Sequence, residues 1–274
     1  MENESKVRSL KQKVNGLEFY CEVRGSGPTV ALVPSGDGDC GYFDKVANIL
    51  SDGFTVFTLD MRYCSRSERP AKLSPMTAGD LASDVAGLLK ALNLAPASVW
   101  GCSSGGQCVL SMGVYYPEVC RNIMVHEAAL QNDTPLGMGV DELKGVIDMM
   151  IKATGSKNAA FAAMLPAIAG DPNFLSSLDP GYSKRVYNNG EIWIDCILEH
   201  ADQRTYSAKE LMNMPPLVFS VGMMSPAWLV YANIETAKRA NAEVVWFPGT
   251  HMPQVTSPDL LAKHIRVNTK KHLR

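Results

Sequence analysis

The sequence predicts an α/β fold in which a mostly parallel, doubly wound sheet carries a helical cap. Continuous apolar segments of strand length alternate with segments of helical periodicity, which is typical of a parallel sheet covered by helices on both faces. This alternation stops between residues 131 and 211, where helical segments follow one another, and it then resumes to the end of the chain. The two observations together indicate a helical insertion within one continuous sheet.

The chain has 274 residues, of which 46% are hydrophobic. This length and composition suit one domain with an elaboration better than two independent domains. We therefore divide the chain into a core, residues 1–130 and 212–274, and a helical cap or lid, residues 131–211.

The composition argues against several classes of partner and location. A net charge of −2 offers no basic patch for nucleic acid or an anionic membrane. The first residues are polar and lack the apolar core of a secretory signal, and no apolar run is long enough to span a bilayer. The seven cysteines are odd in number and form no C-x-x-C pair. We therefore expect reduced thiols, no disulfide framework and a cytoplasmic location.

Apolar runs bounded by turn residues define the strands, and apolar residues at helical spacing define the helices. Strands are predicted at Val14–Val23, Thr29–Val33, Phe54–Leu59, Ala97–Trp100, Asn122–Val125, Pro216–Val221 and Glu243–Phe247. Core helices are predicted at Tyr42–Leu50, Thr77–Leu92, Gly106–Tyr116, Pro226–Ala240 and Pro258–His272. Cap helices are predicted at Asp141–Thr154, Asn158–Ile168 and Gly181–His200.

One pentapeptide, Gly101-Cys102-Ser103-Ser104-Gly105, fits the G-x-S-x-G pattern of a nucleophile elbow. A nucleophilic serine there lies on a tight turn from strand to helix, and the flanking glycines keep side chains away from the neighbouring strand and helix. The helix that follows directs its N-terminus at the reacting oxygen. We predict that Ser103 is a nucleophile and that the backbone N–H of Ser104 stabilises an oxyanion.

A serine hydroxyl needs a neighbouring base, and in this fold order the base follows the last strand. His251 is the histidine at that place, in a loop rich in Gly and Pro. The other four are less suitable: His126 neighbours a better candidate, His200 ends a cap helix, and His264 and His272 lie in the final helix.

The carboxylate that orients the base commonly follows the preceding strand, but the segment 220–226 contains neither Asp nor Glu. Glu127 ends an adjacent earlier strand, so we predict that Glu127 is the acid. Asp60 also ends a strand, but it precedes the elbow and has an Arg neighbour, which favours a structural ion pair.

The second oxyanion donor is expected in the loop after Thr29–Val33, where Gly36 allows close approach of the backbone. Ser35 or Asp37 could supply the N–H instead. The chain has no histidine pair at metal-ligand spacing and no G-x-G-x-x-G after its first strand, so we expect neither a metal nor a cofactor.

These residues stand in runs that extend along nearly the whole chain. The runs are Leu32-Val33-Pro34 with Gly36, Gly38 and Cys40; Phe43-Asp44; Asp60-Met61 with Ser65-Arg66-Ser67; Val99 to Gly105; Tyr116-Pro117; Arg121-Asn122; His126-Glu127; Pro248-Gly249 with His251, Pro253 and Val255; Pro258-Asp259; and Lys271-His272-Leu273. In these runs the chain resembles the zearalenone hydrolases, fungal members of the α/β-hydrolase fold that open a resorcylic acid lactone.

The resemblance implies a triad of Ser103, Glu127 and His251, and a cap tryptophan in the substrate pocket, for which Trp193 is the match. It also implies that zearalenone, once opened, loses carbon dioxide. We expect the substrate to contact Ser35, Met150 and Met252 as well. The chain departs from the family pattern at Ser35, where the family has Asp, and at Arg62-Tyr63-Cys64, where it has Pro-Gly-Met.

The sequence therefore predicts a serine hydrolase for a small-molecule lactone, including zearalenone and its alcohol derivatives. The same residues would also serve a carboxylesterase or a carbon–carbon hydrolase, and a ligand receptor can share the fold. Whether the chain forms a homodimer is left open.

Overall fold

A mostly parallel sheet of eight strands forms the centre of the protein in a computed structural model that describes residues 7–130, 140–176, 178–198 and 204–273. The strands are β1 (Arg8–Val14), β2 (Leu17–Arg24), β3 (Thr29–Val33), β4 (Thr55–Leu59), β5 (Ala97–Cys102), β6 (Cys120–His126), β7 (Leu217–Gly222) and β8 (Glu243–Phe247). Their order across the sheet is β1-β2-β4-β3-β5-β6-β7-β8. β2 pairs antiparallel with β1 and β4, and every later pair is parallel, which confirms the predicted fold class.

The start of the sheet differs from the prediction. The predicted strand from Val14 is a hairpin, in which Val14 ends β1 and Asn15-Gly16 forms the turn with positive φ at both residues. β1 is an edge strand whose residues are mostly exposed, so its sequence is polar and lacks the apolar run that marks the buried strands.

Helices cover both faces of the sheet. The core helices are α1 (Asp44–Leu50), α2 (Ala78–Ala91), α3 (Ser104–Tyr115), α9 (Ala227–Arg239), α10 (Pro253–Thr256) and α11 (Pro258–Lys271), with a 3₁₀ turn at Cys40–Phe43. One hydrophobic core contains side chains of α2, α3 and α9, and a second contains side chains of α1 and α11. Within the described ranges, no helix combines the length and the apolar character that crossing a bilayer requires.

The inserted segment between β6 and β7 is helical where the structure describes it. It contains α4 (Val140–Thr154), α5 (Lys157–Ala169), α6 (Pro180–Asn188), α7 (Gly190–Ile192), a π-helical turn (Trp193–Leu198) and α8 (Ala208–Met212). The predicted start of the cap at residue 131 and the predicted helix end at His200 lie outside the described residues.

The third predicted cap helix is interrupted at Asn189. The Asn189 side-chain amide donates to the backbone carbonyl of Asp37 at 2.7 Å and to Ser65 Oγ at 2.8 Å, and its carbonyl accepts from the Ser65 N–H at 2.9 Å. These bonds to two core loops hold the helix at this point, and the chain continues as α7 and the π-helical turn. Helical periodicity alone does not reveal such long-range hydrogen bonds.

Buried charges attach α6 to the same core loops. Arg185 donates to Asp39 at 2.6 Å, and Arg66 forms a bidentate pair with Asp60 at 2.7 and 2.9 Å and lies 3.7 Å from Asp39. We call these four residues the ion-pair cluster. Asp60 therefore has the structural ion pair that the sequence predicts, but its partner is Arg66, whereas the neighbouring Arg62 pairs with Asp84 at 2.7 Å.

Candidate active site

Ser103 lies at the turn between β5 and α3, with φ of 56° and ψ of −121°. A side chain on either flanking glycine would collide with backbone: a β-carbon on Gly101 would meet the carbonyl of Gly105, and one on Gly105 would meet the carbonyl of Pro34. The Ser103 N–H donates to the carbonyl of His126 at 3.1 Å, which fixes the turn against β6. The local structure is therefore the strained turn that the G-x-S-x-G pattern predicts.

His251 and Glu127 meet at the carboxyl ends of the strands. His251 lies in the loop after β8, Glu127 follows β6 directly, and the distance from His251 Nδ1 to Glu127 Oε2 is 2.7 Å. The Glu127 side chain is fully buried, and His251 is 6% exposed. A buried carboxylate on Nδ1 fixes the imidazole in the tautomer that leaves Nε2 free to accept a proton.

The loop after β7, which contains no acidic side chain, contributes its backbone instead. The Gly222 N–H donates to Glu127 Oε1 at 2.6 Å, so both carboxylate oxygens of Glu127 have partners. Glu127 itself has a φ of 42°, and its N–H donates to the Ser220 carbonyl at 3.2 Å. The next residue is held by Asn233, whose side chain bonds both the N–H and the carbonyl of Ala128 at 2.9 Å.

The two partners shift each other's pKa values in opposite directions. Burial alone would raise the pKa of Glu127, but its hydrogen bond to His251 and the charge of that ring lower it to about 2. Burial alone would lower the pKa of His251, but the Cys102 sulfur and the Glu127 carboxylate outweigh burial and raise it above the ordinary value. Both shifts favour the charged form of the group, so at neutral pH the pair holds an ionised carboxylate beside a protonated imidazole.

His126 lies next to this pair without joining it by a close hydrogen bond. Its Nδ1 lies 2.9 Å from Ser220 Oγ, and its Nε2 is 3.9 Å from Glu127 Oε2. The ring is fully buried, and burial lowers the pKa of His126 to about 4. His126 is therefore a neutral side chain behind Glu127, which agrees with placing the base at His251.

Cys102 contacts the predicted base from below the elbow. Its thiol donates to the His251 carbonyl at 3.1 Å, and its sulfur lies 4.0 Å from His251 Nε2. Ser103 and His251 line the same cavity, although no hydrogen bond joins Ser103 Oγ to the imidazole in the part of the chain that the structure describes. Hydrogen bonds of this kind are often long without substrate and shorten when it binds.

This cavity has a volume of about 450 Å³ and lies between the core loops and the inserted helices. Its walls are mostly apolar side chains of α4, α5, the π-helical turn and the start of α9. The predicted site residues that line it are Ser35, Gly36, Ser103, Ser104, Met150, Trp193, His251 and Met252. Glu127 lies behind His251 and does not line the cavity.

Trp193 lies against the loop that carries the predicted oxyanion donor. A β-carbon on Gly36 would collide with the Trp193 indole, so glycine permits this contact. The other face of the loop is fixed, because the Ser35 N–H donates to the Tyr42 hydroxyl at 2.6 Å. That bond occupies the Ser35 N–H and favours Gly36 over Ser35 as the donor.

Sequence reasoning did not identify three contributors to this region. Gly222 binds the Glu127 carboxylate through its backbone N–H, and Asn233 holds the adjacent Ala128 through its side-chain amide. Nothing in their local sequence marks these roles. Asp37 also lines the cavity, whereas its sequence position indicated only a possible backbone N–H donor. An acidic residue directly after Gly36, the predicted oxyanion donor, is the signal that could have identified Asp37.

The chain is similar to known proteins both in part and along its whole length. A family model described as the alpha/beta hydrolase fold matches residues 28–168. A zearalenone hydrolase of Bionectria ochroleuca is 33% identical over 98% of this chain and 100% of its own. A second zearalenone hydrolase, from Cladophialophora bantiana, is 32% identical over 98% of each chain.

Among solved structures, the enol-lactonase from Burkholderia xenovorans has a TM-score of 0.77 at 20% identity and covers 95% of this chain and 100% of its own. At that identity the likeness concerns the fold alone.

Proposed function

The chain belongs to the zearalenone hydrolase family of α/β-hydrolases, and we propose that it opens macrocyclic resorcylic acid lactones, including zearalenone and the zearalenols. As a member of this family it is a hydrolase of carboxylic esters. The observation that carries the proposal is the 2.7 Å contact between His251 and buried Glu127 beside a large, mostly apolar cavity. The contact supplies a base, and the cavity suits an apolar ring.

In the proposed first step, Ser103 Oγ attacks the lactone carbonyl while His251 Nε2 takes the hydroxyl proton. Glu127 stabilises the imidazolium that forms. The negative charge on the carbonyl oxygen is held by the N–H groups of Gly36 and Ser104. The ester C–O bond then breaks, and the alkoxide end of the opened ring leaves with the proton from His251.

The second step frees the enzyme. Water loses a proton to His251 and attacks the acyl carbon, the bond to Ser103 Oγ breaks as that oxygen takes the proton back from His251, and the hydroxy acid is released. The product of zearalenone then loses carbon dioxide, as the family resemblance implies. No metal or cofactor is needed to balance these steps.

We further propose that the inserted helices act as a cap that forms the roof of the cavity. Trp193, Met150 and Phe161 line the cavity from this side, and the Trp193 and Phe161 ring centroids lie 5.3 Å apart. Flexible thioethers and packed aromatic rings suit an apolar substrate of variable shape. The cap would thus set the substrate range while the core performs the chemistry.

The test is incubation of the purified protein with zearalenone, with α-zearalenol, and with a linear aryl ester of similar size. Mass spectrometry follows the loss of lactone and the gain of one water, followed by loss of carbon dioxide. We expect multiple turnovers on the two lactones at higher kcat/KM than on the linear ester. A preference for the linear ester would favour a general carboxylesterase, and a single turnover without further reaction would favour a receptor.

A further inference from the structure

Asp37 lines the proposed substrate cavity and has a carboxyl group that the proposed mechanism does not use. Asp37 and His251 are the ionisable side chains among the described residues that line the cavity. Asp37 is 2% exposed, and it comes directly after Gly36, the proposed donor to the lactone carbonyl oxygen. A buried carboxyl group beside a mostly apolar cavity is costly unless it has a partner.

The partners of Asp37 are hydroxyl groups. Ser35 Oγ donates to Asp37 Oδ1 at 2.7 Å, and the Tyr182 hydroxyl reaches Oδ2 at the long distance of 3.5 Å. Asp39, two residues later, instead has the two arginines Arg66 and Arg185. Asp37 Oδ2 therefore has capacity for a further hydrogen bond, because a carboxylate oxygen accepts more than one donor.

We propose that Asp37 is a specificity-determining residue that accepts a hydrogen bond from a phenolic hydroxyl on the acyl ring of the lactone. The position of Asp37 beside Gly36 places it on the carbonyl side of the cavity, where the aromatic ring of a resorcylic ester would lie. Ser35 orients the carboxylate through Oδ1 and leaves Oδ2 for the substrate. This inference rests on the proposed function, since it concerns the same site and the same substrates.

The charges around Asp37 make its role dependent on pH. Burial raises the pKa of Asp37 to about 7, the charge of Asp39 adds to the effect, and the hydrogen bond from Ser35 opposes it. Tyr42, Tyr182, Cys64 and Cys102 also face this group, and burial raises the pKa of each of them, so they are neutral in this range. An ionised carboxylate accepts a stronger hydrogen bond than a protonated one, so substrate binding would tighten as the pH rises through 7.

The test compares zearalenone with its ring di-O-methyl ether, in which both phenolic hydroxyls are methylated and can no longer donate, in the wild type and in Asp37→Leu and Asp37→Asn. We expect the wild type to prefer zearalenone over the ether in kcat/KM by about 10- to 100-fold, and Asp37→Leu to lose that preference, mainly through KM. Asp37→Asn, whose amide oxygen still accepts, should keep part of it. The KM of the wild type should fall as the pH rises through 7, and that fall should be absent in Asp37→Asn.

Asp259→Asn, on helix α11, is the matched control. It should leave unchanged both the preference for zearalenone over the ether and the pH dependence of KM. Melting temperatures establish that each variant is folded, and a folded Asp37→Asn keeps the test decisive if Asp37→Leu unfolds. If the wild type opens zearalenone but both Asp37 variants keep the wild-type preference and pH dependence, this inference is overturned and the proposed function stands. If the wild type opens neither compound, the proposed function is overturned as well.

Discussion

Two groups of buried charges follow strands of the same sheet, and they differ in the partner that each carboxylate has. Asp60 follows β4 and accepts from Arg66, and Glu127 follows β6 and accepts from His251. Arginine keeps its proton at any physiological pH, so the ion-pair cluster fixes loops in place. Imidazole gains and loses a proton near neutral pH, so the Glu127–His251 pair can perform chemistry.

Asp60 and the Glu127–His251 pair also differ in their other hydrogen bonds. Asp60 accepts further bonds from the N–H groups of Cys40 at 2.9 Å and Arg66 at 3.0 Å, so its hydrogen bonds tie three chain segments together. The Glu127–His251 pair is satisfied on the Nδ1 side of the ring, and His251 also lines the cavity. A buried carboxylate at a strand end is thus structural or catalytic according to whether its partner has an open, titratable atom.

The largest effect should come from breaking the proposed catalytic pair at its acid, Glu127. Glu127→Gln keeps the shape and the bond from Gly222, but an amide no longer stabilises the imidazolium and favours the wrong tautomer. We expect kcat to fall by about 10³- to 10⁴-fold in a protein that still folds. Steady-state kinetics on a lactone that the wild type hydrolyses checks this. A fall in kcat smaller than about tenfold would remove Glu127 from the mechanism.

Breaking the structural cluster should affect stability and leave the chemistry alone. Arg66→Met leaves Asp60 buried without its cation, and we expect the free energy of unfolding to fall by about 3 kcal/mol. The kcat of the folded protein should stay at the wild-type value. Urea denaturation and active-site titration separate the two quantities, and a stable variant with a low kcat would contradict the distinction drawn between the two groups.

The smallest effect is a pH dependence that belongs to the catalytic pair alone. In the proposed mechanism neutral His251 is the base, and its pKa is raised. We therefore expect kcat to rise with pH by about tenfold per pH unit and to level off above that raised value. In Glu127→Gln the inflection should move to lower pH. The raised pKa of His251 also means that the pair's contribution to stability is lost as the pH rises through that value. The lowered pKa of Glu127 means that stability is lost a second time as the pH falls towards about 2.

A pH–rate profile of the two proteins, measured at saturating lactone, checks the shift of the inflection. Arg66→Met is the control, and its profile should match the wild type because Arg66 does not contact the imidazole. Coincident inflections in the wild type and Glu127→Gln would contradict the role given to Glu127.

The sequence was sufficient for the parts of the molecule that depend on local pattern. Buried parallel strands such as Thr29–Val33 carry continuous apolar runs, and the elbow around Ser103 needs glycine at fixed positions, so both could be predicted. His251 and Glu127 were predicted from the order in which parallel strands deliver residues to one edge. Edge strand β1 escaped prediction, because an exposed strand has no apolar run.

What the sequence could not provide are contacts between distant segments. Asn189 interrupts a helix because its side chain bonds Asp37 and Ser65. Asp60 pairs with Arg66, and not with Arg62, which is nearer in sequence, because the conformation of the loop places Arg66 beside it. Tyr63 and Ser65 in that loop have positive φ, which no local residue preference predicts for them. Such choices depend on tertiary structure, and they place Asp37 in the cavity wall.

The central claim is that Ser103 forms the covalent bond to the acyl group, and Ser103→Ala tests it most directly. Excess enzyme is mixed with zearalenone, lactone loss is followed by mass spectrometry, and binding is followed through tryptophan fluorescence. The account predicts binding close to that of the wild type and a rate of opening at least about a thousandfold lower. Opening at a rate near the wild-type value would contradict it.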